Sequence, residues 1–99
     1  MNRTLSTLSL ARRASRLAIG FTATKNAMLQ KQSSLVLFSS DISDGTKKKI
    51  LQIIGDTPYV DMTFSSEEIE KVLRRRFVVA AITDNNFKQL FMKALKEGV

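Results

Sequence analysis

Two continuous apolar runs, at the head of LVLFSSDISDGTKKKI (residues 35–50) and in FVVAAITD (77–84), constrain this chain more than any other feature. Each ends at a small polar residue and an Asp, and each leads into a helical pattern. Apolar runs of this length without alternation suit strands buried on both faces of a sheet. The Ser or Asp that follows is placed to cap the next helix, which leaves backbone N–H groups at the carboxyl edge of the sheet. That layout is α/β. Strands alternating with helices through the rest of the chain predict a sheet covered on both faces, an α/β/α sandwich whose parallel neighbours are joined by right-handed crossovers.

The remaining elements follow from periodicity and punctuation. Thr4 to Arg16 reads as an amphipathic helix, with Leu5, Leu8 and Ala11 on one face, Leu10, Ala14 and Leu17 beside it, and Arg12, Arg13 and Arg16 near the polar side. Leu17 to Ile19 reads as an extended link and Gly20 as a turn. A second helix is expected from about Thr22 to Lys31, with Ala23, Ala27 and Met28 facing inward. After the Leu35–Ser39 strand, a helix opens at Ser43 or Asp44. It turns Ile50, Leu51 and Ile54 inward and Lys47, Lys48 and Lys49 to water, and Gly55 stops it. Pro58 suits the start of a short edge strand to Met62. Ser65 and Ser66 followed by Glu67 and Glu68 predict a capped helix start, with Ile69, Val72 and Leu73 buried and Arg74, Arg75 and Arg76 at the far end. Phe77 to Thr83 is the candidate central strand. Asp84 caps a last helix to Lys96 carrying Phe87, Leu90, Phe91 and Leu95.

Composition narrows the function classes. The chain of 99 residues is expected to form one domain, 1–99, and its 43% apolar and 25% charged residues are those of an ordinary globular protein. Lys and Arg outnumber Asp and Glu by 16 to 9, and no acid occurs before Asp41. A basic excess in a small domain points to an anionic partner, nucleic acid first and membrane surface second. Cysteine and histidine are both absent, which removes disulfides, thiol chemistry, histidine-based triads and most zinc sites. Neither a metal, a cofactor nor a small-molecule substrate is expected, and no carboxylates are spaced as a catalytic pair. No apolar run approaches the roughly 20 residues that span a bilayer. The Arg- and Ser-rich residues 1–21 have the composition of a mitochondrial presequence. The folded first helix is favoured instead, and with it a cytoplasmic location.

Taken in order, these segments resemble the kink-turn RNA-binding ribosomal proteins of the L-seven-Ae and L-thirty-e type, most closely their small bacterial YlxQ-type branch. The resemblance rests on LSLARRASRL (8–17), Gly20, LVLFSSD (35–41), TKKKI (46–50) and VVAAITDNNF (78–87), and it covers essentially the whole chain. It implies a three-layer α/β/α fold with a mixed four-stranded sheet, no enzyme activity, and binding to structured, sharply bent RNA, ribosomal RNA among the candidates. In such proteins the first turn of the second helix reads sheared G·A pairs, and the loop before the final strand closes over an extruded nucleotide. RNA is recognised largely through shape and splayed bases, so that mode is physically sound.

Carried onto this sequence, the resemblance assigns RNA binding to Gly20, Thr22, Lys25, Asn26, Asp41, Arg74, Arg75 and Arg76. The chain departs from the family where Asn or Glu, then Glu, and a later Lys usually follow the glycine: Thr22, Ala23 and Asn26 stand there. Lys25 brings a cation one position early, about 100° around the helix. Ala23 cannot accept a hydrogen bond from a guanine edge, a loss worth roughly 1.5–3 kcal/mol when the acceptor is charged. Ser43 stands where an acid often follows the strand-end Asp, and three arginines replace the usual glycine and apolar residues of the closing loop. Three guanidiniums at a helix-to-strand junction are the best phosphate-binding candidate in the chain. Lys47, Lys48 and Lys49 read as a solvated face, Arg12, Arg13 and Arg16 equally as solubilising charges or as an extension of an RNA surface, and the Phe residues as core, with Phe21 after the glycine turn read as a core plug ahead of a stacking residue. The alternative function is a protein-interaction module of the same fold that has lost specific RNA recognition.

Overall fold

The computed structural model describes residues 3–97, which form α1 (Arg3–Arg13), β1 (Leu17–Ile19), α2 (Phe21–Leu29), β2 (Leu35–Phe38), α3 (Asp44–Leu51), β3 (Tyr59–Asp61), α4 (Ser66–Leu73), β4 (Val79–Ile82) and α5 (Asn85–Lys96). Every residue of β2 and of β4 is buried, as their unbroken apolar runs predict. The sheet order is β1-β4-β2-β3, so these two strands are its centre. β4 runs antiparallel to both β1 and β2, whereas β2 and β3 are parallel. The sheet is therefore mixed and four-stranded.

Residue alternation along the central strands splits the core in two. Leu35 and Leu37 of β2 and Ala80 and Ile82 of β4 point to one face, where they meet Leu5, Leu8, Ile69, Leu73 and Phe91 from α1, α4 and α5. Val36, Phe38, Val79 and Ala81 point to the other, against Ala27 of α2 and Ile50 of α3. The result is the expected three-layer sandwich, with Leu5 and Leu8 of α1 packed into one layer.

Several boundaries differ from the sequence reading, each for a local reason. Leu17–Ile19 is a strand, not a link, and pairs Leu17 with Ile82 and Ile19 with Ala80. α1 ends at Arg13 rather than Arg16. There Arg16 N–H donates to the Ala11 carbonyl and Ser15 N–H to that of Arg12, with Ser15 left-handed at φ 59°. α2 ends the same way, through Gln32 to Ala27 and Lys31 to Met28, with Lys31 at φ 57°. These are Schellman closures that normally carry glycine, so no glycine marks either stop. α3 ends at Leu51, and Gly55 sits in a later turn at φ 59°. Leu10 and Ala14 are exposed, and Thr24 joins Ala27 as the buried pair of α2 while Ala23 lies at its border.

The start of α4 matches its sequence signature. Ser65 accepts from the Glu68 N–H, and Glu68 accepts from the Ser65 N–H in return, a complete capping box. β3 is an edge strand, and the Pro58 carbonyl ahead of it accepts from Val36 N–H.

Because Leu8 is wholly enclosed between α1 and the sheet, Leu8→Ala is expected to cost about 2–5 kcal/mol in a denaturant titration. A loss well below 1 kcal/mol would show that α1 is not an integral layer of the core.

Candidate nucleic-acid interface

The antiparallel pairing of β4 with both neighbours gathers specific chain ends at one edge of the sheet. Gly20, just after β1, donates its N–H to the Val79 carbonyl at 2.9 Å. Ser39, just after β2, donates to the Val78 carbonyl at 2.9 Å. Val78 and Val79, which follow Arg74–Arg76 into β4, thus lie between the Gly20 turn and the end of β2.

Gly20 has φ 96° and ψ 169°, a conformation essentially restricted to glycine. A methyl group added there would meet nothing within 4 Å, so the constraint is on backbone torsion and not on space. This torsion swings the chain from β1 directly into α2. The helix has no side-chain cap, which leaves the amides of its first turn without a side-chain acceptor, a geometry that favours anions. Thr22, Lys25 and Asn26 are all exposed on α2, where Thr22 neighbours the other two at spacings of three and four residues. Asn26 lines a shallow cleft with Ala23, Gln30, Ser15 and Thr83 along the β1 edge. Lys25 sits about 100° around from Asn26. Phe21 packs against the second core cluster.

Arg74 closes α4 in the left-handed conformation, φ 59°, and donates its N–H to the Glu70 carbonyl at 2.8 Å. All of Arg74, Arg75 and Arg76 are exposed, and Arg76 lies 3.7 Å from a Glu70 carboxylate oxygen. The junction therefore presents guanidinium groups beside the edge that holds Gly20.

Asp41 is placed differently from the other candidates. Its carboxylate accepts from the Ser66 N–H at 2.9 Å and from the Ser66 hydroxyl at 2.6 Å, so it links the end of β2 to the first turn of α4. The Ser66 hydroxyl above all, then Ser39 and the Ser66 amide, hold its carboxyl down at about 2. The residue the resemblance assigns to RNA thus has both oxygens engaged within the fold.

Lys47 also departs from the solvated face read for the three lysines. Its ammonium is 2.7 Å from an Asp61 carboxylate oxygen and lies over the Phe38 and Tyr59 rings, and the Asp61 hydrogen bond raises its pKa. Lys48 and Lys49 are exposed, as expected. Asp84 caps α5 by accepting from Asn86 N–H at 2.7 Å, and Arg16 pairs with it at 3.7 Å. No group of acidic residues among those described is arranged to hold a metal ion.

One contact escaped the sequence. Arg12 Nη1 donates to the Leu73 carbonyl at 3.0 Å, across 61 positions of chain. Only the basic character of the α1 end was visible beforehand, because the acceptor is a backbone atom.

With this geometry in view, the solved structures are informative. A protein of unknown function from Bacillus halodurans C superposes with a TM-score of 0.86 at 28% identity, over 97% of this chain and 99% of that one. A Giardia lamblia 15.5kD RNA binding protein superposes with a TM-score of 0.72 at 14% identity, over 94% of this chain and 82% of that one. The chain shares its fold with both. Neither a protein-family model nor a curated protein sequence matches it.

Two outcomes test these placements. Gly20→Ala is expected to lower stability by about 1–3 kcal/mol, since the methyl group is spatially free but the torsion is not; unchanged stability in thermal or denaturant unfolding would show that the turn relaxes. The depressed Asp41 carboxyl stabilises the fold above the ordinary carboxylate pKa near 3.8, and that contribution fades as pH falls toward about 2. Between those pH values the wild type should lose stability more steeply on acidification than Asp41→Asn. Parallel curves would mean that the Asp41–Ser66 link carries no pH-dependent stability.

Proposed function

We propose that this chain is a non-enzymatic RNA-binding protein that takes structured RNA at the sheet edge carrying Gly20 and the α4–β4 junction. The observation that carries the reading is the 2.9 Å hydrogen bond from Gly20 to Val79, which ties the uncapped start of α2 to the beginning of β4, three residues after Arg76. Amides at a helix start and guanidinium groups both complement phosphate. The shared fold with an RNA-binding protein supports the same reading, as does the net charge of +7. A bent, kink-turn-like RNA is the proposed target, with the ribosome or translation machinery, ribosomal RNA included, as the setting and the cytoplasm as the location.

A second reading, a protein-interaction module on the same fold, is favoured by one observation. The face of α2 bearing Ala23 and Asn26 offers little for reading bases, and Leu29 at the end of that helix is 64% exposed.

The two separate in a titration of the protein into a kink-turn RNA and a straight duplex of equal length, at two salt concentrations. Preference for the bent RNA, with affinity falling steeply as salt rises, is expected. Equal binding to both RNAs would remove shape recognition, and no binding to either would bring the protein-interaction reading forward. In the same assay Ala23→Glu combined with Asn26→Lys should raise selectivity for the kink-turn about tenfold or more, by restoring a charged acceptor worth roughly 1.5 kcal/mol or more. No gain would mean that this face of α2 does not meet the RNA.

A further inference from the structure

The hydrogen bond from Arg12 to the Leu73 carbonyl joins the basic end of α1 to the end of α4, one residue before Arg74. It satisfies one of the carbonyls that a helix terminus leaves without an intrahelical partner. Arg13 sits beside it, lining with Ser6, Ser9, Leu10 and Val72 the groove between α1 and α4. Residues 61 positions apart in the chain are thereby assembled into one basic patch: Arg12, Arg13, Arg74 and Arg75, all exposed.

This patch differs from the other arginines in lacking counter-ions. Arg3 pairs with Glu97, Arg16 with Asp84 and Arg76 with Glu70, whereas no carboxylate of the described residues pairs with Arg12, Arg13, Arg74 or Arg75. Crowding like charges without partners disfavours the compact state. Arg74 adds a further cost, because it occupies a left-handed position where glycine is the unstrained choice. An acceptor-rich polyanion relieves the first cost. Its apolar neighbours, Leu10 and Val72, are too few to insert into a bilayer, and guanidinium forks match phosphate in two-point geometry.

We propose that Arg12 and Arg13 together with Arg74 and Arg75 form a second phosphate-binding surface, along which RNA continues from the sheet edge over the α1–α4 side of the protein. The proposal rests on the RNA-binding reading and extends it: the bound RNA includes a helical stem flanking the bend, and the α1 arginines grip its backbone.

The test compares wild type, Arg13→Glu and the milder Arg13→Ala by fluorescence anisotropy. The probes are a kink-turn RNA with a minimal flanking stem and the same RNA with that stem longer by about one helical turn. Thermal unfolding first establishes that the variants fold like the wild type. Arg13→Ala is expected to weaken binding of the longer RNA several-fold, to lower the slope of log affinity against log salt by about one, and to leave the shorter RNA almost unaffected. Arg13→Glu should enlarge the same effect. Unchanged affinity of both variants for the longer RNA would overturn the second surface while leaving RNA binding intact, and an equal loss on both RNAs would overturn its extension along a flanking stem. Failure of the wild type to bind either RNA would overturn the RNA-binding reading and this inference together.

Discussion

Val79, Ala80, Ala81 and Ile82 are buried on both faces of the sheet, and β4 is hydrogen-bonded along both of its edges, to β1 and to β2. Such a strand is stable only if helices cover both sides, because apolar residues alternate to each face. Hence α1, α4 and α5 lie over one face and α2 and α3 over the other. Since β4 runs opposite to both neighbours, the end of β1, the end of β2 and the entry to β4 must converge on one edge. The candidate interface is a consequence of that pairing: the polar backbone excluded from the two core layers is collected where the central strands end.

Charge is divided along this edge in the same order as the strands. The β1–β4 half carries Gly20, the uncapped start of α2 and the Arg74–Arg76 segment. The β2–β3 half carries Asp41, Asp44 and Asp61, of which Asp41 is locked to Ser66 and Asp61 to Lys47. A phosphate near the second half would meet the negative charge of these carboxylates, and the Asp41 carboxyl is held down at about 2 by Ser66 above all. An anion is therefore favoured on the β1–β4 half and beyond it toward α1, in the direction of the Arg12–Leu73 contact.

Much of this was legible in the sequence, for identifiable reasons. β2 and β4 announce themselves because two-sided burial demands unbroken apolar runs, and α4 because its capping box is spelled out in Ser65 and Glu68. β1 was not legible. Its three residues are half-buried, lie at the sheet edge, and gain their strand character from pairing with β4 rather than from any pattern of their own. The ends of α1 and α2 were misplaced because Ser15 and Lys31 take the left-handed positions that glycine usually signals. For the site, Gly20 was readable as a turn, and its torsion bears that out. The engagement of Asp41 with Ser66 was not, because the two residues are 25 positions apart and either could have served a different helix.

The donor and acceptor inventory of the interface decides which contacts the proposed RNA partner would meet there. Arginine and lysine side chains only donate, and so do the amides at the start of α2. Along α2 the side-chain acceptors among the assigned residues are the Thr22 hydroxyl and the Asn26 amide oxygen, with Ala23 offering none, and the Glu70 carboxylate near the α4–β4 junction is paired with Arg76. A donor-rich surface complements phosphate oxygens, whose spacing follows the path of the backbone. It complements poorly the amino and imino groups of guanine, which need an acceptor. Contacts of the first kind fix position and bend without fixing sequence, so under the proposed function recognition would lie in the trajectory of the RNA more than in its bases.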